Sequence, residues 1–193
     1  DAATTPVLRS ALLEFNLDAP AGTAQPVVQL DPLPQAKGTE EDGEAALPEA
    51  RYLDTYGHGT HIAGIIAGRT PGADPADADE HPEWFMGVAP GAGLVSVKVA
   101  DNTGSVDVSQ MIAAVEWVTE HAAELTIRVL NLSYSSGSYL GYLRDPLVAA
   151  VERAWQAGIV VVVAAGNDGN DALRLASPAR DPYVIDVGGV EAV

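Results

Sequence analysis

The chain has 193 residues, of which 47% are hydrophobic and 19% are charged. This composition supplies enough apolar side chains for a folded domain and excludes wholesale disorder. Its 10 basic and 27 acidic residues give a formal net charge of −17, which repels nucleic-acid phosphates and anionic membrane surfaces, so we expect neither as a partner.

The sequence contains no cysteine, so we expect no disulfide, no thiol nucleophile and no thiolate metal site. The longest apolar run, residues 158–166, is much shorter than the roughly 20 residues that a membrane-spanning helix needs. The start of the chain lacks the basic and then apolar pattern of a signal peptide. We therefore expect a soluble protein.

The first 50 residues are rich in Ala, Pro, Gly, Glu and Asp, and we interpret them as a diverged start of the domain formed by residues 51–193. Two short apolar runs, residues 11–17 and 26–30, are predicted strands, and each is followed by an Asp and then, within two residues of that Asp, by a Pro. Residues 35–49 offer almost nothing to bury and are predicted to form a loop.

From residue 52 onward, hydrophobic periodicity predicts helices and strands in alternation. The predicted helices are residues 61–68, 108–122 and 147–157, and the predicted strands are residues 93–99, 127–132, 159–164 and 183–187. Because the Val-rich strands are apolar on both faces, they are typical of a parallel sheet covered by helices. We therefore predict an α/β fold of three layers, with helices on both faces of a mostly parallel central sheet.

The carboxyl ends of parallel strands meet at one edge of a sheet, where ligands bind in such folds. The loops at residues 100–106, 133–141 and 165–170 are therefore predicted to line a common cleft. Three tyrosines lie near this edge, and a packing or surface role is favoured for them over a role in shaping subsites. They are Tyr134, Tyr139 and Tyr142.

Residues 54–64 read Asp-Thr-Tyr-Gly-His-Gly-Thr-His-Ile-Ala-Gly, with His58 between two glycines at a predicted helix start. This run resembles the His motif of the subtilisin-like serine peptidases, the subtilases, in which Gly-His-Gly-Thr-His-x-Ala-Gly supplies the general base. The resemblance implies that His58 takes the proton of the nucleophile and returns it to the leaving amine. Imidazole suits this role because its pKa lies near neutral pH. His61 would then be structural.

A second segment, residues 161–169, is a buried strand that leads into a Gly-Asn-Asp-Gly turn. It resembles the subtilase segment that carries the oxyanion-hole asparagine, which implies that the amide of Asn167 donates to the negative oxygen of the tetrahedral intermediate. Gly-Asn-Asp-Gly is also a favourable turn sequence by itself, and the His motif decides between the two interpretations.

The resemblance extends from residue 51 to residue 193 and implies two segments that bind an extended peptide through its backbone and side chains. These are Gly104, Ser105 and Val106, which follow the strand at 93–99, and Ser133, Tyr134 and Ser135, which follow the strand at 127–132. The second segment would form a wall of the pocket for the residue that precedes the scissile bond.

The chain departs from the subtilase pattern at the catalytic Asp, because neither Asp-Thr-Gly nor Asp-Ser-Gly precedes His58. In subtilisin the acid lies roughly 32 residues before the base. Asp31 and Asp18 are the candidates, since each follows a predicted strand within a comparable distance of His58. For both of them an ordinary turn carboxylate is the favoured interpretation.

The family's Gly-Thr-Ser-x-Ala run, which carries the nucleophile, does not occur in these residues. In subtilisin the nucleophile follows the oxyanion asparagine by roughly 65 residues, which points beyond Val193. We therefore expect a subtilase catalytic domain that lacks its C-terminal part and has little or no activity alone. A resident serine such as Ser133, Ser135 or Ser138 is not in the exposed, constrained turn that a nucleophile requires.

The sequence thus predicts part of a serine endopeptidase that acts on an extended peptide or protein and needs no cofactor, and the family suggests secretion. A noncatalytic peptide-binding protein on the same scaffold is the first alternative. A metal-dependent hydrolase using His58 and His61 is the second, although the two lack the i, i+4 spacing and Glu of zinc peptidases. The acidic insert at 71–83 has enough carboxylates for calcium but lacks the spacing of a calcium loop, which favours a solvated loop.

Overall fold

The computed structural model describes residues 9–13, 27–28, 54, 56–101, 103–138, 140–169 and 175–189. The chain divides by its internal contacts into two units, Asp1–Ser105 and Val106–Val193, which we call the first and the second unit. Each unit contains parallel strands and at least one α-helix among its described residues.

The first unit holds three parallel strands, and the third of them along the chain lies in the middle. β1 (Arg9–Leu13) and β2 (Val27–Val28) both pair with β3 (Gly93–Val97). The side chains of Val95 and Val97 in β3 are fully buried, as expected for a strand of a parallel sheet with covered faces, and α1 contacts β3. Between β2 and β3 the chain forms α1 (His58–Ala67) and a 3₁₀ helix at Pro75–Glu80.

The second unit also holds three parallel strands, and the second of them along the chain lies in the middle. β5 (Val160–Ala164) pairs in parallel with both β4 (Ile127–Leu132) and β6 (Ile185–Val187). Two helices, α2 (Val108–His121) and α3 (Pro146–Gln156), pack against each other, and α3 also packs against β5. Their fully buried large side chains, together with those of β4, are Met111, Val115, Val118, Leu130, Leu132, Leu147, Val148 and Val151.

The predicted α/β class with parallel strands is confirmed, and β4 has the predicted bounds. α1 begins at His58, three residues before the predicted start at residue 61, because hydrogen bonds upstream of the apolar run stabilise an additional turn. β6 begins at Ile185 rather than 183, since the carboxylate of Asp181 accepts the N–H of Tyr183 at 2.6 Å and holds a turn there.

Three further expectations concern the strands and loops of the first unit. The strands predicted at 11–17 and 26–30 overlap β1 and β2, whereas the loop predicted at 35–49 lies outside the described residues. The insert at 71–83 contains an exposed 3₁₀ helix rather than only a loop. Among the described helices, none is long and apolar enough to cross a membrane.

Candidate active site

The start of α1 is fastened by a carboxylate that lies outside the helix. Gly57 precedes the helix with a φ of +90° and has no side chain to cap it. Asp54 takes over this role, because its Oδ1 accepts the N–H groups of Tyr56 at 3.2 Å and Gly57 at 2.6 Å. Its Oδ2 accepts the N–H of Thr60 at 3.0 Å and the Thr60 hydroxyl at 2.6 Å. These bonds fix the position of the first helical residue, His58.

The environment of Asp54 keeps its carboxyl group ionised. Partial burial raises its pKa, but the hydrogen bonds from the Thr60 side chain and from the backbone of Gly57, Thr60 and Tyr56 outweigh burial and lower the pKa below its ordinary value. A negative charge at the N-terminus of a helix is also favourable because it faces the positive end of the helix dipole. The loop before His58 is therefore held by a carboxylate rather than by a neutral cap.

Both histidines of the motif lie in the first turns of α1 and are exposed. His58 is the first helical residue, and Gly59 directly after it is buried. The N–H of His61 donates to the carbonyl of Gly57 at 3.1 Å, which closes the first turn. An exposed imidazole on an anchored helix start is accessible to a substrate, as a general base must be.

The other end of α1 is held by backbone groups. The N–H groups of residues 87–89 donate to the carbonyls of Gly68, Ile65 and Ile66 at 2.7, 2.9 and 2.7 Å, which satisfies acceptors that a helix end leaves without partners. A Cβ at Gly87 would lie 2.8 Å from the carbonyl oxygens of Ile65 and Ile66. Only glycine allows this close approach, so α1 is fixed at both ends.

The loop after β3, which contains the predicted substrate residues Gly104 and Ser105, forms a tight turn around Asp101. Its Oδ1 accepts the N–H and the hydroxyl of Thr103 at 2.9 and 2.7 Å, and the N–H of Ser105 at 2.9 Å. Burial raises the pKa of Asp101, but these hydrogen bonds and those of the backbone outweigh it and lower the pKa. Ser105 is exposed at the end of this turn.

This turn contacts the segment that leads to His58. Gly104 has a φ of +80°, and a Cβ there would lie 2.7 Å from two ring carbons of Tyr56. The Tyr56 ring therefore lies against the backbone of Gly104. The structure thus brings one predicted substrate segment beside the His motif within the first unit, whereas Val106, the last residue of that segment, belongs to the second unit.

In the second unit, Asn167 follows β5 in a turn whose first residue is held by two backbone hydrogen bonds. The N–H of Ala165 donates to the carbonyl of Val187 at 2.9 Å, and the N–H of Ala176 donates to the carbonyl of Ala165 at 3.0 Å. Gly166 has a φ of +111°, which lets the chain leave the strand sharply. Asn167 is exposed on this turn, where its amide is accessible to a bound molecule.

The loop after β4, which contains Ser133, Tyr134 and Ser135, is attached to the segment that precedes β6. The N–H of Ser136 donates to the carbonyl of Ser177 at 2.8 Å. Within the loop, Asn131 Nδ2 donates to the Ser133 hydroxyl at 2.9 Å. Ser135 is exposed and Tyr134 is half-buried, so this loop presents both a hydroxyl and an aromatic ring.

Burial and the charges of two aspartates affect the ionisation of Tyr134. Burial raises the pKa of its phenol, and the negative charges of Asp107 and Asp145 raise it further. Asp107 and Asp145 cap α2 and α3, because each accepts the N–H of the residue two positions later, Ser109 at 2.7 Å and Leu147 at 3.0 Å. The neutral phenol of Tyr134 is therefore available as a hydrogen-bond donor.

Sequence reasoning missed one residue of this region, Arg180. Its Nη2 donates to the carbonyl of Ser138 at 2.6 Å and lies 3.9 Å from Oδ2 of Asp145. Asp145 is readable from the sequence as a helix cap because Pro146 follows it at the first helical position. Nothing in the sequence pairs Arg180 with a carbonyl 42 residues away.

The remaining predicted residues are distributed as follows. His58 lies in the first unit and Asn167 in the second, and their meeting in one cleft stays a prediction. Asp18, Asp31 and Tyr139 lie outside the described residues. Within the described ranges, no group of three His, Cys, Asp or Glu side chains is placed to hold a metal ion.

Comparison with known proteins adds sequence relatives. The chain is 36% identical over 191 residues to Subtilisin-like protease 2 of Trichophyton equinum, a match that covers 95% of this chain and 40% of that protein. The protein of the same name from Arthroderma benhamiae is 35% identical with the same coverage. The chain thus spans about 40% of the length of these curated relatives.

Two solved structures are similar. Sphericase superposes with a TM-score of 0.51 at 28% identity, over 56% of this chain and 34% of that one. The prenylagaramide maturation protease PagA superposes with a TM-score of 0.62 over 97% of this chain and 55% of that one, and at 23% identity it supports the fold alone. These similarities confirm the predicted subtilisin-like α/β fold.

A family model matches more of the chain than the motif resemblance covers, and the family assignment follows from this match. The model of the subtilase family matches residues 27–192. It therefore includes β2 and begins well before residue 51, where the motif resemblance starts. The match contains the His motif and the Asn167 turn in a single alignment, and the chain belongs to the subtilase family.

Proposed function

We propose that this chain carries the general base and the oxyanion donor of a serine endopeptidase. The observation that carries the proposal is His58, an exposed imidazole at the anchored start of α1 within a Gly-His-Gly-Thr-His-x-Ala-Gly run. Membership of the subtilase family supports this assignment. The relatives named as proteases support a peptide or protein as the substrate.

In the proposed mechanism His58 takes the proton from a serine hydroxyl as that oxygen attacks the peptide carbonyl. It then gives the proton to the leaving amine. The amide of Asn167 donates a hydrogen bond to the oxyanion of the tetrahedral intermediate, where charge develops. An aspartate orients the imidazole, with Asp31 and Asp18 as the candidates. All of these groups are protein side chains, and we propose no cofactor for these steps.

We further propose that the nucleophile lies outside these 193 residues. Gly-Thr-Ser-x-Ala does not occur in them, so these residues alone are expected to leave peptides uncleaved. The complete enzyme would bind an extended peptide by backbone pairing as in strand addition, and the segments that the family resemblance assigns to this task are Gly104–Val106 and Ser133–Ser135. Action outside the cell is part of the same proposal and rests on the family alone.

The test compares two neighbouring histidines of the same helix. In the full-length protein, His58→Ala should lower kcat for a fluorogenic peptide by at least about 10⁴-fold, because the serine loses its base. His61→Ala is the matched control, since His61 is also exposed on α1 and the resemblance gives it a structural rather than a catalytic role, and it should lower kcat far less than His58→Ala does. Equal losses in both variants would contradict the role of His58.

A second variant tests the oxyanion donor. In subtilisin, loss of the corresponding asparagine costs roughly 10²–10³ in kcat, and Asn167→Ala should lower kcat by the same order with little change in KM. Its control is Asp168→Ala, since Asp168 is the exposed neighbour on the same turn. Full-length protein that binds peptides tightly but cleaves none would instead favour a noncatalytic peptide-binding protein.

A further inference from the structure

The loop that follows β4 is attached to the segment before β6 at two points. The first attachment is the backbone hydrogen bond from Ser136 to Ser177. The second comes from a side chain, because Nη2 of Arg180 donates to the carbonyl of Ser138 at 2.6 Å. Both attachments lie within three residues after Ser133–Ser135, the predicted wall of the substrate pocket. The shape of this wall therefore depends on residues 177–180.

Arg180 is itself held in place. Its side chain is 14% exposed, and the side chain of Asp145, 3.9 Å away, is 3% exposed. A cation this deeply buried is stable only beside a compensating charge and hydrogen-bond acceptors. Asp145 supplies that charge from a fixed position, since its Oδ1 caps α3 at Leu147.

Asp145 remains negatively charged at neutral pH. Burial raises its pKa, but the hydroxyls of Ser138 and Ser177 and the N–H groups of Leu147 and Val148 outweigh burial and lower the pKa. The guanidinium therefore faces an ionised carboxylate and a carbonyl at the same time. A planar guanidinium can serve both because its donors point in several fixed directions.

We propose that Arg180 is a positioning residue for substrate binding. By donating a hydrogen bond to the carbonyl of Ser138, it holds Ser133–Ser135 in the shape that an extended peptide recognises. This inference rests on the proposed function. Backbone pairing with a peptide needs a wall that is already ordered, because a mobile loop must lose conformational entropy when the peptide binds. Removal of the guanidinium should therefore weaken binding and leave the chemical step nearly unchanged.

The experiment uses the full-length protein and a series of peptide substrates that differ in the residue before the scissile bond. Arg180→Gln should raise KM about tenfold or more, as expected for loss of a hydrogen bond to a charged donor, while kcat changes by less than about threefold. The matched control is Arg153→Gln, because Arg153 pairs with Glu116 where both side chains are about half exposed. This control should leave KM and kcat unchanged.

Two conservative variants separate positioning from mere support of the fold. Arg180→Lys keeps a cation that can reach either the Ser138 carbonyl or Asp145, and it should recover most of the affinity. Asp145→Asn keeps an acceptor for the α3 cap but removes the charge that faces Arg180, and it should raise KM by an intermediate factor. Melting temperatures are measured for each variant beside the kinetics.

An unchanged KM in Arg180→Gln, with or without a lower melting temperature, would overturn the proposal, as would a fall in kcat at constant KM. Failure of all three variants to fold would also overturn it, because Arg180 would then support the core rather than the loop. If the unsubstituted protein neither cleaves nor binds any peptide of the series, the proposed function fails and this inference fails with it. These outcomes are distinguishable within one set of measurements.

Discussion

The helices of the two units are held by different forces. Of the ten residues of α1 in the first unit, Gly59 and Ala63 are the buried ones, and the helix is fixed by Asp54 at its start and by the N–H groups of residues 87–89 at its end. In the second unit α3 buries five apolar residues, with Leu147 and Val151 fully inside. Both helices have a carboxylate cap, but α1 adds backbone hydrogen bonds at its other end, whereas α3 adds a broad buried apolar face.

This difference follows from what each helix carries. A helix that presents a reactive side chain at its first turn must be positioned accurately but leave that turn accessible, and directional hydrogen bonds meet both needs. A helix that only covers a sheet can bury a broad apolar stripe, which stabilises it in proportion to the area removed from water. The predicted base therefore lies on the helix that contributes less to the core.

The largest expected change in stability tests whether packing of apolar side chains holds α3. Leu147→Ala in α3 should lower the free energy of unfolding by about 3 kcal/mol, because a fully buried leucine leaves a cavity when truncated. Leu143→Ala, at a side chain that is 82% exposed in the preceding 3₁₀ helix, should change stability by less than about 0.5 kcal/mol. Urea unfolding of both variants measures the difference, and equal effects would break the comparison.

A glycine pair tests the backbone anchoring of α1. Gly87→Ala should destabilise the protein by about 2 kcal/mol, since its Cβ would lie 2.8 Å from two helix carbonyl oxygens that cannot move freely. Gly64→Ala is the control within α1, where a Cβ would meet no other described residue within 4 Å. It should stabilise the helix by about 0.5–1 kcal/mol. Thermal melts should therefore shift in opposite directions.

The smallest effect concerns the cap of α1 and its dependence on pH. Asp54→Ala should lower the free energy of unfolding by about 1 kcal/mol at neutral pH, because the N–H groups of Gly57 and Thr60 lose their acceptor. The folded protein lowers the pKa of Asp54, so its contribution is present above the ordinary pKa and is lost as the pH falls through the lower, folded value.

The difference between unsubstituted protein and Asp54→Ala should accordingly shrink below about pH 4. Asp54→Asn keeps one acceptor oxygen and should show a smaller loss of stability at neutral pH, and this loss should also shrink on acidification because the carboxylate that titrates is in the unsubstituted protein. Urea unfolding at several pH values provides the measurement. A difference that grows on acidification would mean that Asp54 is not held as a carboxylate in the folded state.

The sequence predicted most elements of the second unit because their signals are local. Apolar spacing located α2 and α3 within one residue at each end, and the run Ile-Arg-Val-Leu-Asn-Leu at 127–132 gave β4 its bounds. The predicted start of α1 was three residues too late. Gly57, at the N-cap position, has no side chain to accept a hydrogen bond, and Asp54, three residues before it, caps the helix instead. Motif resemblance singled out His58 and Asn167, but no periodicity could find Arg180, whose partners are distant in sequence.

The sequence by itself determined the α/β class, the family resemblance and the residues with reactive side chains, because each of these depends on neighbours within a few positions. Tertiary structure alone decided which groups hold those residues in place: the N–H groups of residues 87–89 on α1, the Tyr56 ring on Gly104, and Arg180 on the carbonyl of Ser138. Such contacts join segments that are separated along the chain, and they form only when the sheet brings those segments together.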